Sequence, residues 1–150
     1  MTYCFFDTSA LVKRYYPESG TETVDELVED PDRVVIITTL SVVETASAFR
    51  RKYNRHEIES DRMYGLLAAF FEEALADFML IPLEDVSLES ALGLVLADDL
   101  RTLDSIQLAA ALEVRDELQG IEFITADRDL ADVARAHHLE TTVPGSDDDQ

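Results

Sequence analysis

The sequence predicts an α/β domain with a central, mostly parallel sheet covered by helices on both faces. Two observations carry that reading. Short runs of β-branched and aromatic residues alternate along the chain with longer stretches of helical periodicity, and strands separated by helices imply a parallel sheet with both faces covered. The 150 residues show no internal repeat and no linker, which fits one domain.

Each element follows from local pattern. Tyr3 to Asp7 is a short apolar run ending in a polar cluster and reads as the first strand. Ser9 to Tyr15 reads as a short helical turn stopped by Pro17. Thr21 to Asp30 places Val24, Leu27 and Val28 on one helical face, with Pro31 after it. Val34 to Thr38 is β-branched and reads as a strand, and Leu40 to Arg55 as a helix. Glu57 to Phe78 is a long amphipathic helix carrying Met63, Leu66, Leu67, Phe70, Phe71 and Leu75. Met79 to Pro82 reads as a short strand, and Ser87 to Ala97 and Thr102 to Leu118 as helices. Glu122 to Thr125 reads as a strand, Leu130 to His137 as a helix and Thr141 to Val143 as an edge strand. The polar, acidic stretch from Gly145 to Gln150 is expected to be disordered.

An apolar fraction of 47% supports a core without staples. No apolar run approaches the roughly 20 residues that span a bilayer. The N-terminus lacks the basic segment of a signal peptide, so a cytoplasmic location is expected. The single cysteine, Cys4, excludes an internal disulfide and any multi-cysteine zinc site, and its apolar surroundings suggest a buried structural thiol.

Charge is the unusual feature. Asp and Glu number 32 against 12 Lys and Arg, a formal charge of −20, and only Lys13 and Lys52 are lysines. Such a chain repels polyanions in dilute buffer. Two circumstances offset this. At molar ionic strength the Debye length shrinks to about 3 Å, and an acidic, lysine-poor surface resembles proteins from salt-loving microbes. A bound divalent metal would also reverse the local field.

Four carboxylates stand out. Asp7 and Asp127 follow predicted strands, and ligands of open parallel sheets bind beyond the carboxyl ends of the strands. Either Asp could instead cap the helix after it, and Asp129 competes for that role at the last helix. Glu44 shares a helical row with Leu40 and Ala48, and Asp104 with Leu100, Leu108 and Ala111. A carboxylate on an apolar stripe needs a partner or protonates. An arginine such as Arg101, or a stripe edge open to water, would meet that need. Together the four can converge on one cleft, where their mutual repulsion calls for a hard cation, Mg²⁺ or Mn²⁺. The histidines, His56, His137 and His138, form no competing cluster, and the last two fit a helix end.

The ordered motifs resemble the PIN-domain family, and most closely its VapC-type ribonuclease toxins of type II toxin–antitoxin modules. The resemblance runs from Phe6 to about Leu139. It rests on Phe6-Asp7-Thr8-Ser9-Ala10-Leu11-Val12-Lys13, on Glu44 in Ser41-Val42-Val43-Glu44, on Leu103-Asp104-Ser105-Ile106-Gln107-Leu108-Ala109 and on Phe123-Ile124-Thr125-Ala126-Asp127. It implies a PIN-like three-layer α/β/α sandwich over residues 1–144. By position it implies Asp7, Glu44, Asp104 and Asp127 as catalytic metal-binding acids, oriented by Ser9 and Thr125. The implied activity is Mg²⁺-dependent hydrolysis of RNA, with a small antitoxin as partner and a homodimer as the usual assembly. The apolar positions from Met63 to Leu75 would supply a dimer face or simply core. Gln107 departs from the His that relatives often carry, a change expected to matter little.

Other classes fit less well. A haloacid-dehalogenase phosphotransferase needs a second Asp where Ser9 stands, and a nucleotide-binding Rossmann domain needs a glycine-rich first turn that is absent near Asp7. A non-catalytic interaction module and a PIN nuclease of RNA maturation remain as alternatives. The intact acidic quartet speaks against the first, and the lone cysteine excludes the zinc ribbons that often accompany the second.

Overall fold

The computed structural model describes residues 1–145. The order is β1 (Thr2–Phe6), α1 (Thr8–Leu11), α2 (Thr21–Glu29), β2 (Arg33–Thr38), α3 (Thr39–Asn54), α4 (Ser60–Asp77), β3 (Met79–Ile81), α5 (Leu88–Asp98), α6 (Thr102–Leu118), β4 (Glu122–Ile124), α7 (Arg128–Ala136) and β5 (Glu140–Thr142). The five strands form one sheet in the order β3-β2-β1-β4-β5. Every pairing is parallel, so the expected three-layer α/β/α sandwich is present and its sheet is wholly parallel. The acidic tail falls outside the described residues from position 146 on.

The period of two along the strands sorts side chains into two cores. Phe5, Ile36 and Phe123 face α5, α6 and α7, joining Leu94, Leu108, Ala111 and Leu130. Cys4, Phe6, Val35, Ile37 and Ile124 face α1 to α4, joining Leu11, Phe49, Met63 and Phe70. Register makes this coherent, since Phe5 pairs with both Ile36 and Phe123. Burying each such side chain contributes roughly 1.5–3 kcal/mol. Cys4 is fully buried, as expected, and its Sγ lies 3.1 Å from the Arg33 guanidinium.

Several boundaries differ from expectation for local reasons. The first helix begins at Thr8, ends at Leu11 and tightens into a 3-10 turn over Val12–Arg14. α4 begins at Ser60 rather than Glu57, because His56 turns into the left-handed region at φ 61° after α3. α7 begins two residues early, because Asp127 caps it. His137 ends α7 and its ring meets Asp98 at 3.0 Å, in keeping with a helix-end role.

The long helix α4 divides its apolar residues. Met63, Leu66, Phe70 and Ala74 enter the core, whereas Tyr64, Phe71 and Leu75 are exposed. A second exposed row, Leu88, Leu92 and Leu96, runs along α5 at helical spacing. The sequence reading did not single it out. Among the described residues no helix is long and apolar enough to cross a membrane.

Candidate active site

The strand order places β1 and β4 side by side, so the residues after them emerge together at the carboxyl edge of the sheet. The chain runs from β1 to β2 on one side and takes up β4 on the other, so β1 and β4 flank the crevice where open parallel sheets place ligands. Asp7 follows β1, and Asp127 follows β4 by three residues. α3 brings Glu44 from one side and the first turn of α6 brings Asp104 from the other. All four carboxylates line a single cleft of about 880 Å³, together with Thr8, Ser9, Arg51 and Arg101.

Asp7 is the most buried of the four, only 5% exposed. It stands at the N-cap position of α1, yet its side chain makes no cap bond. Its Oδ2 instead accepts hydrogen bonds from Ser9 Oγ at 2.6 Å and Thr125 Oγ1 at 2.9 Å. Ser9 Oγ also accepts from the Ala126 backbone N–H, and Thr125 Oγ1 from that of Asp127. The two hydroxyls thus fasten Asp7 to the β4–α7 turn. Burial pushes the Asp7 carboxyl up to about 6. The hydroxyl bonds pull it down, and the neighbouring charges of Asp104 and Glu44 push it further up.

Asp127 does cap a helix, its Oδ1 accepting from the backbone N–H groups of Asp129 and Leu130. Asp129 does not compete. Oδ2 of Asp127 accepts no hydrogen bond among the described residues and is free to serve the cleft. Cap and ligand are therefore compatible roles for one side chain.

Asp104 is half-buried, and burial raises its pKa, helped by Asp127 and Glu44 and opposed by Arg101. No ion pair joins Arg101 to Asp104 among the described residues, so the arginine partner considered for this carboxylate is not in contact. Glu44 is also half-buried. The fully buried face of α3 is Ser41, Thr45 and Phe49, and Glu44 lies beside it at the cleft. Among the described residues, none of the four carboxylates is ion-paired.

Gln107 proves far more consequential than its sequence suggested. It is buried on α6, and its amide Nε2 donates to Ser41 Oγ at 2.7 Å and Glu44 Oε1 at 3.0 Å, with Thr8 Oγ1 at 3.4 Å. Its Oε1 accepts from Thr38 Oγ1 at 3.1 Å. Thr8 Oγ1 donates to Glu44 Oε1 at 2.9 Å. One amide therefore ties β2, α3 and α6 together and fixes one oxygen of Glu44. Sequence reasoning missed the roles of Thr8 and Ser41 and took Gln107 for a change of little consequence. The available signal was a polar residue standing between Ile106 and the run Leu108-Ala109-Ala110-Ala111, where an amide must find partners.

The donor set fits a hard divalent cation: carboxylate and hydroxyl oxygens, with no histidine or cysteine lining the cleft among the described residues. Among the described residues no three acidic, histidine or cysteine side chains form a ready-made metal-binding group.

The chain is thus an α/β/α sandwich with a wholly parallel sheet and acidic residues at the carboxyl edge of its central strands. The PIN-domain model matches residues 4–136, and the chain belongs to the PIN-domain family, whose members are generally nucleases. No curated protein matches the chain. Among solved structures, it is similar to a toxin–antitoxin complex from Klebsiella pneumoniae at 20% identity and TM-score 0.57, covering 83% of this chain and 86% of that one. It is similar to PAE2754 from Pyrobaculum aerophilum at 16% identity and TM-score 0.59, covering 87% and 84%. It is also similar to VapBC2 from Rickettsia felis bound to a promoter DNA fragment, at 12% identity and TM-score 0.65, covering 95% and 99%. At these identities the likeness is one of fold.

Proposed function

We propose that this chain is a Mg²⁺-dependent endoribonuclease, with Mn²⁺ able to substitute, acting as the toxin of a type II toxin–antitoxin pair in the cytoplasm. The observation that carries the reading is the convergence of Asp7, Glu44, Asp104 and Asp127, from four separate parts of the chain, on one cleft, none of them ion-paired among the described residues.

In this reading Asp7 and Asp104 are the direct metal ligands, and Asp127 completes the set through its uncommitted Oδ2. When bound, the ion supplies positive charge for the scissile phosphate and lowers the pKa of a water. Ser9 and Thr125 hold Asp7 in place, and their bonds favour the ionised, ligating form. Glu44 has Oε1 fixed by Thr8 and Gln107, which leaves Oε2 to take the proton of the attacking water. The water oxygen bonds to phosphorus as the bond to the departing ribose oxygen breaks on the opposite side, and that oxygen takes a proton from solvent water.

The partner expected is an antitoxin segment rich in arginine, suited to the acidic cleft. One structure similar in fold is described as a toxin–antitoxin complex and another as VapBC2 bound to a DNA fragment of its promoter, which favours this role over a nuclease of RNA maturation. A homodimer is also proposed, with the exposed side chains of α4 and α5 as its apolar surface.

The test is induced expression of wild type and Asp104→Asn, with RNA ends mapped from the cells. Growth arrest with cuts at defined sites from wild type alone is the expected result. Equal fragmentation by both proteins, or none from either in the presence of Mg²⁺, overturns the assignment.

A further inference from the structure

The cleft contains two arginines that the carboxylate chemistry does not use. Arg51 lies seven residues beyond Glu44 on α3 and Arg101 immediately precedes α6, so they line the same cleft from two elements. Both are exposed. Of the 12 basic side chains, Lys13, Arg14, Arg33, Lys52 and Arg115 lie within 4 Å of a carboxylate, and among the described residues the other seven do not; of those seven, Arg51 and Arg101 line this cleft. Arg51 and Arg101 stand beside the acidic quartet and yet, among the described residues, neither is ion-paired. Arg51 is instead steadied by a neutral contact, its Nη1 donating to Ser47 Oγ at 2.7 Å. Its other guanidinium N–H groups remain available.

We propose that Arg51 and Arg101 bind backbone phosphates of a single-stranded nucleic acid on either side of the scissile position. The proposal rests on the ribonuclease reading above and deepens it. A guanidinium binds phosphate bidentately and is weakly hydrated, so a small number of them can hold a strand against an unfavourable overall charge. The field of a −20 protein repels RNA at long range, whereas these two groups act only at contact. Phosphates are common to every nucleotide, so the pair sets affinity and register and leaves base choice to other contacts.

The assay is fluorescence anisotropy of a labelled 12-nucleotide single-stranded RNA, titrated with protein in EDTA between 50 and 300 mM KCl. The parent is Asp7→Asn, which prevents turnover. Arg51→Gln and Arg101→Gln are compared in that background with Arg135→Gln. Arg135 lies on α7, where it bonds the Thr141 carbonyl oxygen outside the cleft, and its replacement changes net charge by the same amount. Each cleft substitution is expected to weaken binding about tenfold. Each should also reduce the slope of log K against log salt by about 0.7. Arg135→Gln should do neither, and a DNA strand of the same sequence should show the same losses. Cleft variants that behave like Arg135→Gln overturn the proposal while leaving the ribonuclease reading in place. A parent that binds no strand at any salt, with a wild type that cleaves no RNA in Mg²⁺, overturns both.

Discussion

Replacing Asp7 by Asn should make the metal-free protein more stable at neutral pH while removing its activity. Asp7 has a folded-state pKa raised from 3.8 to about 6, chiefly by burial. A raised carboxyl pKa means that the folded state binds the proton more tightly than the unfolded state. The associated stability is fully present below the unfolded pKa and is lost as pH rises through about 6. At pH 7 that displacement amounts to about 3 kcal/mol. Asn is uncharged and close in shape to the protonated acid. The bonds that Ser9 and Thr125 give the ionised acid are already contained in that pKa, and the Asn carbonyl oxygen can accept from them much as the protonated acid does. The gain of about 3 kcal/mol corresponds to a rise in Tm of roughly 6–12 °C for a chain of this size. Thermal melts by circular dichroism in EDTA, run from pH 3 to pH 8, measure it. The two proteins should melt together near pH 3 and diverge as pH passes through 4 to 6. Mg²⁺ should then stabilise wild type far more than the variant. A variant that melts at or below wild type at pH 7, or by a margin constant across pH, refutes the reasoning.

Further outcomes follow from the same geometry. Gln107→Leu leaves Thr38, Ser41 and Thr8 short of partners and should cost about 2 kcal/mol in urea denaturation. In cleavage assays it should lower kcat with KM nearly unchanged, because Glu44 loses a positioning bond. Thr125→Val removes a hydrogen bond that lowers the Asp7 pKa. The acid limb of its pH–rate profile should therefore move to higher pH, with activity partly recovered in alkaline buffer. Raising KCl from 0.1 to 2 M should increase Tm, since screening relieves repulsion among 32 acidic residues; an unchanged Tm counts against adaptation to a salty interior. EDTA should abolish RNA cleavage and excess Mg²⁺ or Mn²⁺ restore it, scored on gels of end-labelled RNA.

Much of the architecture was legible because periodicity survives translation into structure. The β-branched run at Val34 to Thr38 and the alternation around Phe5 define faces that the sheet then buries. Strand order was not legible, since nothing local says that β4 returns beside β1 across more than a hundred residues. For the site, the four carboxylates were visible as charges in costly places, and they do line one cleft. The roles of Asp127 and Gln107 were not. A cap bond occupies one oxygen of Asp127 and leaves the other, a division that residue type alone does not reveal. The hydroxyls meeting the Gln107 amide come from β2, α1 and α3, so its importance exists only once those elements are packed.

The parallel pairing of β1 with β4 also sets an order of assembly during synthesis. β1 leaves the ribosome first, but its second neighbour comes about 120 residues later. Until then β1 is an open sheet edge, and Asp7 lacks both the Thr125 hydroxyl that holds it and the Asp127 carboxylate across the crevice. A chain that stops before β4 therefore carries three of the four acids with no finished cleft. If the protein cuts RNA, the ribosome and message that make it are exposed to a competent nuclease only after nearly the whole chain has been made.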